Sequence, residues 1–152
     1  MTADEVIQKL NLVPLPLEGG FFRECYRTKH STAIYYLVTE KSFSSLHAVD
    51  MDETFHFYAG SPVQMLQIHD GKAVKIIIGN NLAISHEPQV TVPRGIWQGT
   101  KLFESKPGDW ALLGCTVAPA FEYEHFHIKG RKELTGMFPG IEREIAEFTY
   151  AD

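Results

Sequence analysis

Between Phe21 and Ile128, apolar residues come in short runs, many of them alternating with polar ones at a period of two. Clusters of Gly, Pro, Asp, Asn or Ser separate the runs. The segments FFRECYRT, STAIYYLVT, SFSSLHAV, ETFHFYAG, VQMLQIHD, AVKIIIG, QVTVPRG, TKLFES, DWALLGCTVAP and FEYEHFHI each predict a strand. Many short strands at this spacing predict an all-β sandwich or barrel rather than a parallel sheet with crossover helices. Asp70-Gly71, between VQMLQI and AVKIII, predicts a tight hairpin, because both residues tolerate positive φ. Gly79-Asn80-Asn81 marks a further turn. The flanks carry a helical period instead. At the start, Thr2 and Glu5 have capping-box spacing and Val6, Ile7 and Leu10 form an apolar stripe, which LVPLPLEGG ends. At the end, PGIEREIAEF places Ile141, Ile145 and Phe148 on one face behind Pro139. No repeat, low-complexity stretch or linker interrupts the pattern, so residues 1–152 predict one domain: a β-barrel with a short helix at each end.

Composition narrows the classes of partner. The net charge of −5 leaves no electrostatic footprint for nucleic acid or an anionic membrane surface. The basic run Lys129-Gly130-Arg131-Lys132 reads as a solvated loop. No stretch approaches the roughly 20 apolar residues of a membrane span, and MTADEVIQKL lacks the basic and apolar regions of a signal peptide. The expected location is the cytoplasm. Cys25 and Cys115, far apart in sequence, suit free thiols in a reducing compartment, and both are expected to be buried structural residues.

Candidate chemistry concentrates in SSLHAVDMDETFHFYAG, residues 44 to 60. Side chains alternate across a strand, so parity separates inward from outward. By parity Phe43, Ser45, His47 and Val49 share one face. After the Asp50-Met51-Asp52 turn, Glu53, Phe55 and Phe57 share a face, and Thr54, His56 and Tyr58 the other. The phenylalanine side is the side to bury. It carries Glu53 into the interior, where a carboxylate must be paired, hydrogen-bonded or protonated. His47, on the adjacent strand, is its expected partner, and His56 points away.

The same residues carry a family resemblance. His47, Val49, Glu53 and Gly60 fall on the spacing of the first cupin motif, and Pro93, Gly95 and Gln98 in VPRGIWQ fall on that of the second. Val49 and Gln98 stand where a metal-binding cupin has histidines, and Lys41 stands where the motif opens with Gly. LPLEGGFFRECYRT, STAIYYLVTE, SSLHAVDMDETFHFYAG, PQVTVPRGIWQGTKL and ALLGCTVAPAFEYEHF resemble, in order, the blocks of the small single-domain cupin 5 group, a family of unknown function. The resemblance implies a jelly-roll β-barrel of the cupin superfamily, commonly a homodimer.

Three readings of the site follow. A metal-dependent cupin enzyme would use His47 and Glu53, but Gln98 is a poor ligand and Val49 none, so no metal cofactor is assigned and His47, Glu53 and Gln98 stand only as weak candidates. His56 could join them only through a β-bulge that reverses its parity. Metal-free acid–base chemistry would use His47 as base, Glu53 to orient it and Tyr35 as acid, by analogy with cupins that epimerise or isomerise nucleotide-linked sugars. Parity admits only one of Tyr35 and Tyr36, and Tyr35 is taken. Arg23 would hold an anionic substrate, Phe43, Phe55, Phe57, Trp97 and Gln98 would line the pocket, and Arg94 would flank its mouth. In the third reading His47, Glu53 and Gln98 satisfy one another, and the barrel binds without turnover or serves as core. The reading adopted is binding, with isomerisation as the accompanying chemistry, of a small polar metabolite such as a sugar or nucleotide-linked sugar.

Other motifs are set aside. His125-Phe126-His127 reads as a solvated face, Asp50 and Asp52 as caps of backbone donors, and Tyr26 and Arg27 as interface residues on an outer strand. Glu18-Gly19-Gly20 has no following helix and so is no phosphate loop. His30, His69 and His86 fall in turns.

Overall fold

The alternating segments fold into two facing antiparallel sheets. The computed structural model describes all residues, 1–152. One sheet runs in the order β1 (Val13–Pro14), β2 (Phe21–Arg27), β3 (Thr32–Thr39), β10 (Trp110–Ala118), β5 (Asp52–Gly60), β8 (Gln89–Val92). The other runs β11 (Phe126–Ile128), β4 (Ser44–Val49), β9 (Trp97–Leu102), β6 (Val63–His69), β7 (Lys72–Ile78). This is the jelly-roll arrangement expected of a cupin. Helix α1 (Ala3–Leu10) opens the chain and α2 (Arg131–Met137) and α3 (Glu142–Glu147) follow the last strand. None of the helices is long and apolar enough to cross a membrane.

Local signals are realised where the chemistry demands them. Asp70 and Gly71 both have positive φ, 49° and 75°, and join β6 to β7 with His69 opposite Lys72. The capping box of α1 is complete, with Thr2 and Glu5 each bonding the other's backbone N–H.

Four local expectations are corrected. FEYEHFHI is not one strand: residues 123–125 form a 3₁₀ turn, and only Phe126–Ile128 pair with β4. TKLFES begins too late, since its strand starts at Trp97. The basic run after Ile128 is not a loop throughout, because Arg131 and Lys132 start α2. Gly130 offers that helix no capping side chain, so the Asp152 carboxylate accepts the N–H groups of Arg131 and Lys132 instead. Cys25 is exposed, and only Cys115 is buried.

Packing forms three layers. Between the sheets lies the largest core, including Tyr36, Val38, Phe55, Val63, Met65, Ile78, Leu102 and Leu113. On the outer face of the β4 sheet, Leu46, Leu66 and Ile68 pack on Leu134, Ile145 and Phe148 of the C-terminal region. On the outer face of the β3 sheet, Leu37 packs on Val6 of α1 and on Leu12. Fully burying one such side chain contributes about 1.5–3 kcal/mol. β4 is therefore buried along its whole length, with Val49 toward the inner core and Leu46 toward the helices.

Candidate functional site

Three strands converge at one end of the barrel. β4 supplies His47, β9 supplies Gln98 directly opposite it, and β5 supplies Glu53. His47 Nδ1–H donates to the Ser45 carbonyl at 2.8 Å, which leaves Nε2 free to accept from the Gln98 amide at 2.9 Å. The same amide nitrogen donates to Glu53 Oε1 at 2.8 Å, and the Cys115 thiol donates to Glu53 Oε2 at 3.1 Å. Phe126 stacks on the imidazole with ring centres 5.3 Å apart. Burial lowers the basicity of His47, with the Glu53 charge acting against it, and this agrees with a neutral ring accepting at Nε2.

A second carboxyl reaches the same place from a loop. Glu18 precedes Gly19 and Gly20, whose φ angles are 102° and 78°. A Cβ on Gly20 would overlap the Tyr36 ring, so the glycine is what lets this loop close over β3. Tyr36 donates its hydroxyl to Gly19 O at 2.6 Å, and Ser45 N donates to Glu18 O at 2.9 Å. Glu18 Oε2 accepts from Ser44 Oγ at 2.7 Å and lies 3.6 Å from His47 Nε2. Burial pushes the Glu18 carboxyl up to about 7, against the bond from Ser44. Burial also raises Glu53, with His47 pulling it back down and Glu18 adding to the rise. Sequence reasoning missed Glu18. Its signal was present in the glycine pair, a device for tight approach rather than a failed phosphate loop.

Glu18, Glu53 and Cys115 form the floor of a cavity of about 320 Å³. Its walls are apolar and aromatic: Leu15, Phe22, Ile34, Val117, Phe121 and Tyr123. Glu24, Arg27 and Glu122 stand at its more exposed side, where Arg27 pairs with Glu24 at 2.7 Å and with Glu122 at 3.0 Å. The wall residues Phe121 and Tyr123 come from the segment that leads into β11.

Of the catalytic and ligand-binding residues expected from the sequence, Glu53 alone lines this cavity. His47 and Gln98 lie buried behind it, joined to Glu53 as described. Tyr35 is corrected. It faces outward, packed with the α1 layer, under the Arg23 guanidinium 5.2 Å from its ring centre and against Tyr58. Tyr36 is the inward tyrosine, and Arg23 is therefore also outside the barrel. Phe55 and Phe57 belong to the inner core. Phe43 stacks on Tyr150, 4.3 Å between ring centres, and Trp97 packs under the C-terminal helices. A register shift between Ser44 and His47 breaks the parity assumed along β4, so Ser44 bonds Glu18 beside His47. His56 does point away, bonding Thr116. Arg94 is exposed, with its backbone N–H capped by Asp52. Asp50 is no backbone cap: its carboxylate takes His127 at 3.0 Å and His125 at 3.5 Å.

The cupin metal site can be tested on this donor set. No three His, Cys, Asp or Glu side chains come together in a geometry that would hold an ion. Val49 is a core residue, and the Gln98 amide presents its N–H groups to both His47 and Glu53, a face that repels a cation. The residues do not fit a cupin-type transition metal.

The family model Cupin_5, described as Cupin superfamily (DUF985), matches residues 4–129. No curated protein matches. A hypothetical protein from Leishmania major is 30% identical, covers 99% of this chain and 99% of its own, and superimposes with a TM-score of 0.91. A protein from Shewanella oneidensis is 27% identical, covers 100% of this chain and 99% of its own, with a TM-score of 0.92. An oxalate decarboxylase from Bacillus subtilis shares the fold at 10% identity and a TM-score of 0.60, over 93% of this chain and 38% of its own.

Proposed function

The chain belongs to the Cupin_5 family of the cupin superfamily, and from that premise we propose a cupin that binds a small metabolite in its barrel and moves a proton on it through paired carboxyls. One observation carries the reading. A mostly apolar cavity, open at one side, ends on Glu18 and Glu53, with His47 and Gln98 locked behind them. Glu18, near 7, is part protonated at neutral pH and can give or take a proton. Glu53 is its partner, and Gln98 and His47 are positioning residues that hold Glu53 in place. The acid role expected of Tyr35 passes to Glu18, since Tyr35 lies on the outer face. Isomerisation or epimerisation next to a carbonyl is the class of reaction that such a pair serves. The cavity suits a ligand of about sugar size with an apolar side. A nucleotide-linked ligand, or a dicarboxylate such as the oxalate in that neighbour's name, is disfavoured, because the single cation among the lining residues, Arg27, is held by two carboxylates.

The test is a fragment screen by NMR in D₂O. Fragments should bind the wild type, lose binding in Ile34→Trp, which fills the cavity, and exchange a carbon-bound proton for deuterium only while Glu18 is present. Binding that survives Ile34→Trp would place the ligand elsewhere. Exchange that survives Glu18→Gln would remove Glu18 from the chemistry.

A further inference from the structure

The charge around this cavity is one-sided. Its lining holds four carboxyls, Glu18, Glu24, Glu53 and Glu122, against one guanidinium, Arg27. Both outer carboxylates are engaged by Arg27. At the floor no cation answers Glu18 and Glu53, because His47 is neutral and already donates its one N–H to the backbone. Gln98 Oε1, buried behind the floor without a partner, is an acceptor as well. The floor thus lacks a donor of positive charge, and the walls carry Phe22, Phe121 and Tyr123, whose ring faces attract cations.

Resting on the cavity as the ligand site, we propose that its occupant is a small organic cation, an amine on an apolar body, with the ammonium group between the Glu18 and Glu53 carboxyls and the body against the aromatic walls. The ammonium supplies the positive charge that the floor lacks. Binding ionises whatever fraction of the two carboxyls is protonated, and the released protons go to the buffer. Toward this ligand Glu18 acts as the base that takes a carbon-bound proton, not as the acid. An anion meets the opposite situation, with carboxyls ahead of it and no unpaired cation.

Three probes that share one ring separate the possibilities: cyclohexylammonium, cyclohexanol and cyclohexanecarboxylate, titrated calorimetrically into the intact protein at equal ionic strength. A charge-assisted bond is about twice as strong as a neutral one, so the ammonium should bind about tenfold more tightly than the alcohol, and the carboxylate most weakly. Glu18→Gln should bring ammonium and alcohol within about threefold of each other. A second measurement needs no variant. The groups facing Glu18 are Ser44 and His47 on β4, Glu53 on β5, Tyr36 on β3, the Cys115 thiol on β10 and Tyr123 at the wall. Ammonium affinity should rise by about tenfold from pH 6 to 8 as Glu18 ionises, while alcohol affinity does not. Alcohol or carboxylate binding as tightly as ammonium would overturn the cation while leaving the cavity as a ligand site. If none of the three binds, the cation inference falls on its own, because the fragment screen with Ile34→Trp tests the cavity separately.

Discussion

The two ends of the barrel are built from the same strands and behave as opposites. At the closed end the inward residues of β10 are Ala111 and Leu113, facing Val38, Val63, Met65 and Leu102, all buried. At the open end β10 turns inward Cys115 and Val117, and its neighbours present Glu53, Gln98, His47 and a cavity. Along β10, alternation alone supplies both ends, with Ala111, Leu113, Cys115 and Val117 all inward. The closed end is where the molecule gains stability. The open end gives some of it up, since two carboxyls are held there at raised proton affinity beside empty space. Such a division is how a fold keeps a reactive pocket without unfolding.

The largest effect should come from the closed end. Leu113→Ala should cost about 2–5 kcal/mol in urea unfolding, the range for a fully buried leucine, and leave ligand affinity unchanged. A loss below about 1 kcal/mol would erase the distinction between the ends. The open end should show itself through pH. Glu18 holds its proton up to about 7 when folded, against an ordinary 4.5. The folded state therefore binds more protons between these values. The stability it contributes is complete below the lower value and is lost as pH rises through the upper. Unfolding free energy should fall by up to about 3 kcal/mol across that interval. Glu18→Gln should flatten most of the slope; an equal slope in the variant would locate the proton elsewhere. The smallest effect compares two adjacent tyrosines. Tyr36→Phe, which loses the bond to Gly19, should cost about 1 kcal/mol and loosen the Glu18 loop. Tyr35→Phe should change stability by less than about 0.5 kcal/mol and leave binding untouched. Equal losses would mean that both faces of β3 matter alike.

This contrast also explains what could be read from the chain alone. The sheets were legible because turn residues punctuate the alternation, and Asp70-Gly71 falls where its backbone must. His47, Glu53 and Gln98 were legible from motif spacing. Tyr35 and Tyr36 were not separable, because α1 covers the outer face of β3 and leaves apolar residues on both sides, so parity loses its meaning there. The same holds for β4, buried on both faces, where the register shift hid Ser44. Glu18 lies on a loop, and loops carry no period. Helix α2 was hidden because its cap comes from Asp152, 21 residues away from Arg131.

The chain has two tryptophans, and the layering puts one on each outer face. Trp97 packs under the C-terminal helices, while Trp110 lies in the α1 layer with its indole N–H donating to Met1 O at 2.8 Å. Neither lines the cavity. Tryptophan fluorescence is thus a pair of reporters on the helical coats. It registers a helix lifting from either sheet and stays dark to a guest inside the barrel.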